Sequence, residues 1–206
     1  MDTGQVLLAI LVIAVAYLIG GIPWGVVIAR ITGGPDPRTI GSGRTGGANV
    51  MRALGPRLAL VSGLLDVAKG VVAVLLAIAV GGGLPLEILA ALAAIVGHSR
   101  SIWIGFAGGR GIAPAFGGLI VIAPVVALIV IPIFFGVLVV SRYSSVASLT
   151  ATAVGALIVI AMVALFQLSP LYVVYAVAAA GLIWLFHADN IQRLLAGSER
   201  QIEWRR

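Results

Sequence analysis

Six long apolar runs dictate what this chain can become. They cover residues 5–31, 58–80, 84–97, 112–140, 146–168 and 171–186, with few charges inside them. A helix that crosses a bilayer needs about 20 such residues. The runs are continuous and do not alternate apolar with polar, so they spell helices and not the strands of a barrel. Composition agrees: 61% of the 206 residues are hydrophobic and 10% are charged, whereas a soluble domain is roughly a quarter charged. In lipid the backbone must satisfy its own hydrogen bonds, which only helices and closed barrels do. The sequence therefore predicts an all-α integral membrane protein, one domain over residues 1–206. The first run has no basic segment before it and exceeds a signal-peptide core, so it reads as a true span. There is no cysteine, which removes disulfides and thiolate metal sites. No metal or cofactor is expected.

Charge placement decides how the spans are counted. Lysine and arginine gather on the cytoplasmic side of a membrane protein. With the amino terminus outside, Arg30 to Arg57 lie inside, and Lys69 sits near that end of the second run. The turn at residues 81–85 carries no base and is followed by Glu87, so it lies outside; Arg100 and Arg110 return inside. The fourth run is 29 residues long and contains Pro124 and Pro132. As a single span it would misplace Arg142 and the basic tail of Arg193, Arg200, Arg205 and Arg206. As a hairpin turning between the two prolines, with arms of about 13 residues or ~20 Å, it puts all 13 basic residues on one side. The expectation is seven transmembrane helices, some short or half-spanning, with the amino terminus outside and the carboxyl terminus cytoplasmic.

That topology brings five polar clusters to one face. The first, residues 41–55, is glycine-rich and basic: Gly41, Ser42, Gly43, Gly46, Asn49 and Arg52, with Arg44 and Arg57 nearby. Glycines let a backbone turn its N–H groups toward an anion, and arginines add fixed charge. The second is Asp66 and Lys69, three apart and so on one helix face. They read either as a structural ion pair or as a pair whose lysine also meets an anion. The third runs from His98 and Arg100 to Gly108, Gly109, Arg110 and Gly111. A tight turn opening a helix beside an arginine is an anion site; the plainer alternative is an interfacial loop whose arginine meets lipid phosphate. The fourth is the serine group before and within the fifth run, where Ser144 and Ser145 read as helix caps and Ser148 lies one turn deeper. The fifth is His187 and Asn190, three apart. A net charge of +6 points to a membrane surface and anionic small substrates. Nucleic acid is not expected, since no basic helix or aromatic–basic platform is present.

In this order the clusters resemble the bacterial membrane acyl-phosphate:glycerol-3-phosphate acyltransferases, the PlsY family. The likeness rests on Gly41-Ser-Gly-x-x-Gly with Asn49-Val-x-Arg52 and Gly55, on Asp66-x-x-Lys69-Gly70, and on Gly97-His98 with Gly108-Gly-x-Gly111. The tail His187-x-x-Asn190-Ile-x-Arg193-Leu-Leu-x-Gly197-x-Glu199 completes it. The resemblance implies seven transmembrane helices in the bacterial inner membrane and an active site facing the cytoplasm. It implies transfer of a fatty acyl group from acyl phosphate to the 1-hydroxyl of glycerol 3-phosphate, giving lysophosphatidic acid and phosphate, the first acylation of phospholipid synthesis. By carry-over, Ser42 and its glycine loop hold the acyl-phosphate head. Arg52, Arg110 and Ser148 bind phosphate or hydroxyl groups, with Lys69 and Gly108 to Gly111 beside them. His187 and Asn190 complete the glycerol 3-phosphate pocket. Ser42, Arg110, His187 and Asn190 are the expected catalytic residues; acyl phosphate, glycerol 3-phosphate and membrane lipids are the expected partners.

This chain departs from the family pattern at Arg110, where lysine is usual, and at Arg44, Ala48 and Pro114, where asparagine, threonine and threonine are usual. Arginine keeps the charge but cannot give up a proton. An acyl phosphate is already activated, so the reaction mainly needs two anions positioned and their repulsion offset. The soluble-type signature, histidine then aspartate five residues on, is absent: Trp103 follows His98 and Gln192 follows His187 at that spacing. The alternatives are a transporter for an anionic metabolite and a lipid-binding paralogue without turnover. A transporter places ionisable groups near the bilayer midplane, often within an internal repeat; here they crowd one face and no repeat is visible.

Overall fold

The computed structural model describes residues 2–202. Arg205 and Arg206, which enter the charge count above, lie outside the described residues. Among these residues there are ten α-helices, two short 3-10 turns and no strand. Five helices are long and apolar enough to cross a bilayer: α1 (Thr3–Gly21), α4 (Pro56–Ala79), α5 (Gly83–Ser99) with its 3-10 extension to Ile104, α7 (Pro124–Ser141) and α8 (Ser144–Phe166). Helices α9 (Leu171–Phe186) and α10 (Ala188–Leu195) pass the same test as a pair bent by 61°. Helix α6 (Ile112–Ile122) is apolar but has 11 residues. The protein is thus a multi-pass, all-helical membrane protein.

Two expectations are corrected. The first apolar run is not one helix: it breaks at Pro23, and α2 (Trp24–Thr32) starts afresh. Proline has no N–H and pushes its predecessor out of helical geometry, and Ile22 is accordingly extended at φ −56°, ψ 117°. The fourth run breaks only at Ala123, so its arms are α6 with 11 residues and α7 with 18, not two of equal length. Pro124 takes the first position of α7, where its missing N–H costs nothing. Pro132 stays inside α7. A third refinement concerns residues 41–55, which are not all loop: Gly47–Leu54 forms helix α3.

The chain divides into two compact units, one ending at Ile122 and one starting at Ala123. In the first unit, Val12 and Ala16 of α1, Ala73 and Ala77 of α4, and Leu86, Ala90 and Ala94 of α5 form a buried seam. Small residues let these backbones approach closely. Gly97 lies against the Tyr17 carbonyl, and Gly70 against that of Pro114, with no space for a Cβ at either.

The break at Pro23 orphans carbonyls at the end of α1, and in lipid an orphan costs several kcal/mol. Side chains supply the donors. Trp103 Nε1 donates to Leu18 at 3.0 Å, Ser101 Oγ to Gly21 at 2.5 Å and Lys69 Nζ to Ile22 at 2.9 Å. The Tyr17 hydroxyl donates in turn to the Arg100 carbonyl at 2.7 Å. These bonds tie the carboxyl ends of α1 and α5 to the middle of α4. The two polar loops, residues 33–46 and 100–111, follow α2 and α5.

In the second unit, the tail returns to the start of α8. The Ile202 N–H donates to the Arg142 carbonyl at 2.8 Å, and Arg142 Nε to the Ile202 carbonyl at 3.4 Å. The start of α8, the end of α9 and α10 therefore share one end of this unit.

Candidate active site

The loop at residues 33–46 is held by two polar anchors. Asp36 caps the 3-10 turn Pro37–Thr39 by accepting from the Arg38 N–H at 2.9 Å. Its carboxylate also pairs with the Arg38 guanidinium at 2.7 Å. The hydrogen bond from Arg38 holds the Asp36 carboxyl below its usual range.

The second anchor is Asn49, 2% exposed at the third position of α3. Its Nδ2 donates to Ser42 Oγ at 3.0 Å and to the Arg44 carbonyl at 2.9 Å. Its Oδ1 accepts from Arg52 Nη1 at 3.0 Å and from the Ser42 N–H at 3.4 Å. One side-chain amide thus fixes Ser42, the serine expected at the acyl-phosphate head, and Arg52, the expected phosphate arginine, together. Gly41 must be glycine: its φ is +61°, and a Cβ would strike Asn49 Oδ1. Gly43 is also left-handed, at +71°. Gly46 begins α3 as its N-cap. The first cluster is therefore a single organised turn, with Arg52 exposed and Ser42 half-buried at its surface.

Behind it, Lys69 is 3% exposed and its ammonium faces inward, 2.7 Å from Asp66 Oδ1. With the Ile22 carbonyl also bonded, its charge is spent on internal partners. His98 joins them: its Nδ1 lies 3.6 Å from Asp66 Oδ1, electrostatic contact but too long for a hydrogen bond.

The loop after α5 folds back on the helix that precedes it. The Gly108 N–H donates to the Ser99 carbonyl at 3.3 Å and the Gly109 N–H to that of His98 at 3.0 Å. Gly111 turns at φ +82° and α6 starts with the next residue, as the glycine–arginine–glycine pattern predicts. Arg110 is half-buried at the mouth of that helix. The first N–H groups of a helix have no intrahelical acceptor, so this corner combines backbone donors with a guanidinium.

In the second unit, Ser148 Oγ donates back to the Ser144 carbonyl at 2.8 Å, one turn earlier in α8. His187 is 3% exposed, with Nδ1 at 2.8 Å from the Ile183 carbonyl. A carbonyl can only accept, so Nδ1 carries a proton and donates to it. Asn190 Nδ2 donates to Glu199 Oε1 at 2.7 Å, while its Oδ1 is buried and has no hydrogen-bond partner among the described residues.

Glu199 organises this cluster, and sequence reasoning gave it no role. It also accepts from Ser145 Oγ at 2.9 Å and from Arg193 Nε at 2.7 Å. Burial raises the Glu199 carboxyl, but the bonds from Asn190, Arg193 and Ser145 outweigh it and hold the group below its ordinary range. Ser145 is thus not a helix cap, as its place in the sequence suggested; its partner is 54 residues away. Arg193 lies one turn after Asp189 and bonds it too, at 3.3 Å.

Known proteins with this arrangement are informative. The sequence matches the family model for glycerol-3-phosphate acyltransferase over residues 10–197, which takes in every cluster above except the last part of the tail. The chain belongs to the glycerol-3-phosphate acyltransferase family. A glycerol-3-phosphate acyltransferase of Moorella thermoacetica is 44% identical over 193 residues, covering 94% of this chain and 97% of the relative. One from Thermus thermophilus is 41% identical over 206 residues, covering 94% and 95%. The crystal structure of PlsY, an integral membrane glycerol 3-phosphate acyltransferase, in its glycerol 3-phosphate form superposes with a TM-score of 0.85 at 34% identity, over 95% of this chain and 96% of that one. Its lysophosphatidic acid form gives 0.83 over 94% of each chain. The acyltransferase family pattern thus spans both compact units.

Proposed function

We propose that this chain transfers a fatty acyl group from acyl phosphate to the 1-hydroxyl of glycerol 3-phosphate, releasing lysophosphatidic acid and phosphate. The observation that carries the reading is the family match, which runs through the organised Ser42–Asn49–Arg52 turn, the Arg110 corner and the His187–Asn190 pair. In this reading the whole chain is one acyltransferase domain, since matched relatives align over both units.

The residues divide the chemistry as follows. The turn bearing Gly41, Ser42, Gly43 and Gly46 binds the head of the acyl phosphate, with Arg52 against its charge. Arg110, at the start of α6, opposes a second phosphoryl group; with Arg52 it offsets the repulsion between two anionic substrates. His187 helps line the glycerol 3-phosphate pocket, and the unpartnered Asn190 Oδ1 accepts from a glycerol hydroxyl. The hydroxyl attacks the acyl carbonyl, the C–O bond to phosphate breaks, and phosphate leaves. The hydroxyl proton passes to a phosphate oxygen of the substrate. Phosphate is a good leaving group, so no covalent enzyme intermediate is required. The site faces the cytoplasm of a bacterial inner membrane, which the one-sided arginines support.

The test is purified protein in lipid nanodiscs supplied with acyl phosphate and glycerol 3-phosphate, following phosphate and lysophosphatidic acid. Stoichiometric appearance of both products is expected. Folded protein that releases neither above background would overturn the assignment.

A further inference from the structure

The buried trio Asp66, Lys69 and His98 does no work in the chemistry just described, yet it is costly to keep. Each is at most 7% exposed, on helices α4 and α5, both long and apolar enough to cross a bilayer. Replacing a buried ion pair by well-packed apolar side chains is often neutral or stabilising. Stability alone therefore gives little reason for these groups, and what they touch gives a better one.

Lys69 reaches one way to the Ile22 carbonyl, at the break from which α2 leads into the Ser42 turn, and the other way to Asp66. Asp66 faces His98 Nδ1 on the neighbouring helix. The opposite edge of the imidazole, Nε2, lies against Gly109 so closely that a Cβ there would strike it. The His98 carbonyl meanwhile accepts from the Gly109 N–H, and that of Ser99 from Gly108. Ring and backbone of His98 thus contact the residue just before Arg110 from two directions.

We infer that Asp66, Lys69 and His98 form an internal strut that sets the height of the Gly108–Gly111 turn, with His98 a positioning residue for Arg110. The inference rests on the proposed acyltransferase reading only for the role of Arg110. Asp66 holds the imidazole in place, Lys69 holds Asp66, and the ring fixes how close Gly109 comes to α5. None of the three meets substrate. Gly109 has no side chain because the ring fills that space.

The test is a cycle of His98→Ala, Gly109→Ala and the double variant in nanodiscs. It reads kcat, both substrate KM values and hydrogen exchange of residues 106–111. Each single variant should raise a KM by about tenfold while moving kcat less than about threefold. In the double variant the added methyl no longer meets a ring, so its KM should fall at least roughly fivefold below the product of the single effects, as contacting residues couple. Exchange at residues 108–111 should quicken in His98→Ala while α4 and α5 stay protected. Multiplicative KM effects would overturn the strut, and so would unchanged exchange at the turn or a rise spread evenly over α4 and α5. Exchange reads the strut even if the wild-type protein shows no turnover, so its failure and that of the acyltransferase assignment are separable.

Discussion

Asn49 uses every polar atom of its side chain on the loop around it. Asn49→Ala removes the donor to Ser42 and the acceptor for Arg52 in one step, and leaving such partners unmet costs about 1–3 kcal/mol. Spread over a site that must be held in place, that predicts a fall in kcat/KM of about tenfold to a hundredfold. Asn49→Asp retains the acceptor but not the donor and should fall between wild type and alanine; steady-state kinetics on the pair measures both. Arg52→Ala should weaken substrate binding directly, and unchanged turnover and affinity would remove it from the site. Arg110 poses a different question, because lysine is usual there. If a fixed charge is all the corner needs, Arg110→Lys keeps activity within about tenfold, the lysine losing only bidentate geometry. A large gain would instead mark arginine as a handicap, and a large loss a site retuned around it.

Among elements, the tail clamp in the second unit makes a pH prediction with a definite sign. Glu199 joins α8 to α10 through Ser145, Asn190 and Arg193, and its carboxyl is held below the ordinary range. A group depressed on folding adds stability above its unfolded value, about 4.3 for glutamate, and that stability is lost as pH falls through the lower folded value. Glu199→Gln keeps an acceptor but not the charge, and should lower stability near neutral pH by about 1–3 kcal/mol. Melting curves of the two proteins should converge as pH falls below about 4; a gap unchanged by pH would show that the charge contributes nothing. Packing makes a second prediction. Gly70→Ala in α4 drives a methyl into the Pro114 carbonyl of α6, and overpacking of this kind costs about 1–3 kcal/mol. Gly63, in the same helix, has open space around its Cβ, so Gly63→Ala should not lower the melt and should raise it slightly through alanine's better helix propensity.

For the molecule as a whole, the sequence made its membrane nature and its polar clusters legible for the same reason. In a chain this apolar, a hydrophobic run can hardly be anything but helix, and a run of glycine, serine and arginine stands out against it. What stayed hidden depends on partners far apart in sequence. Trp103, Ser101 and Lys69 cap the carbonyls left by Pro23 from 47 to 85 residues away, and Glu199 reaches Ser145 over 54. Pro132 was misleading, because a helix in lipid can keep a proline where one in water breaks. Orientation follows from charge, and it can be measured directly because the protein has no cysteine. Single cysteines at Arg44, Gly82, Ser169 and Ser198 would sample each proposed face. In intact cells a membrane-impermeant maleimide should label the variants at 82 and 169, which lie in the two uncharged turns. It should reach those at 44 and 198 only after the membrane is opened. Labelling of 44 in intact cells would invert the proposed topology and put the Ser42 turn on the side where cytoplasmic substrates are absent. A split between 44 and 198 would separate the Ser42 turn from the Glu199 clamp across the bilayer, and no single catalytic face could then use both.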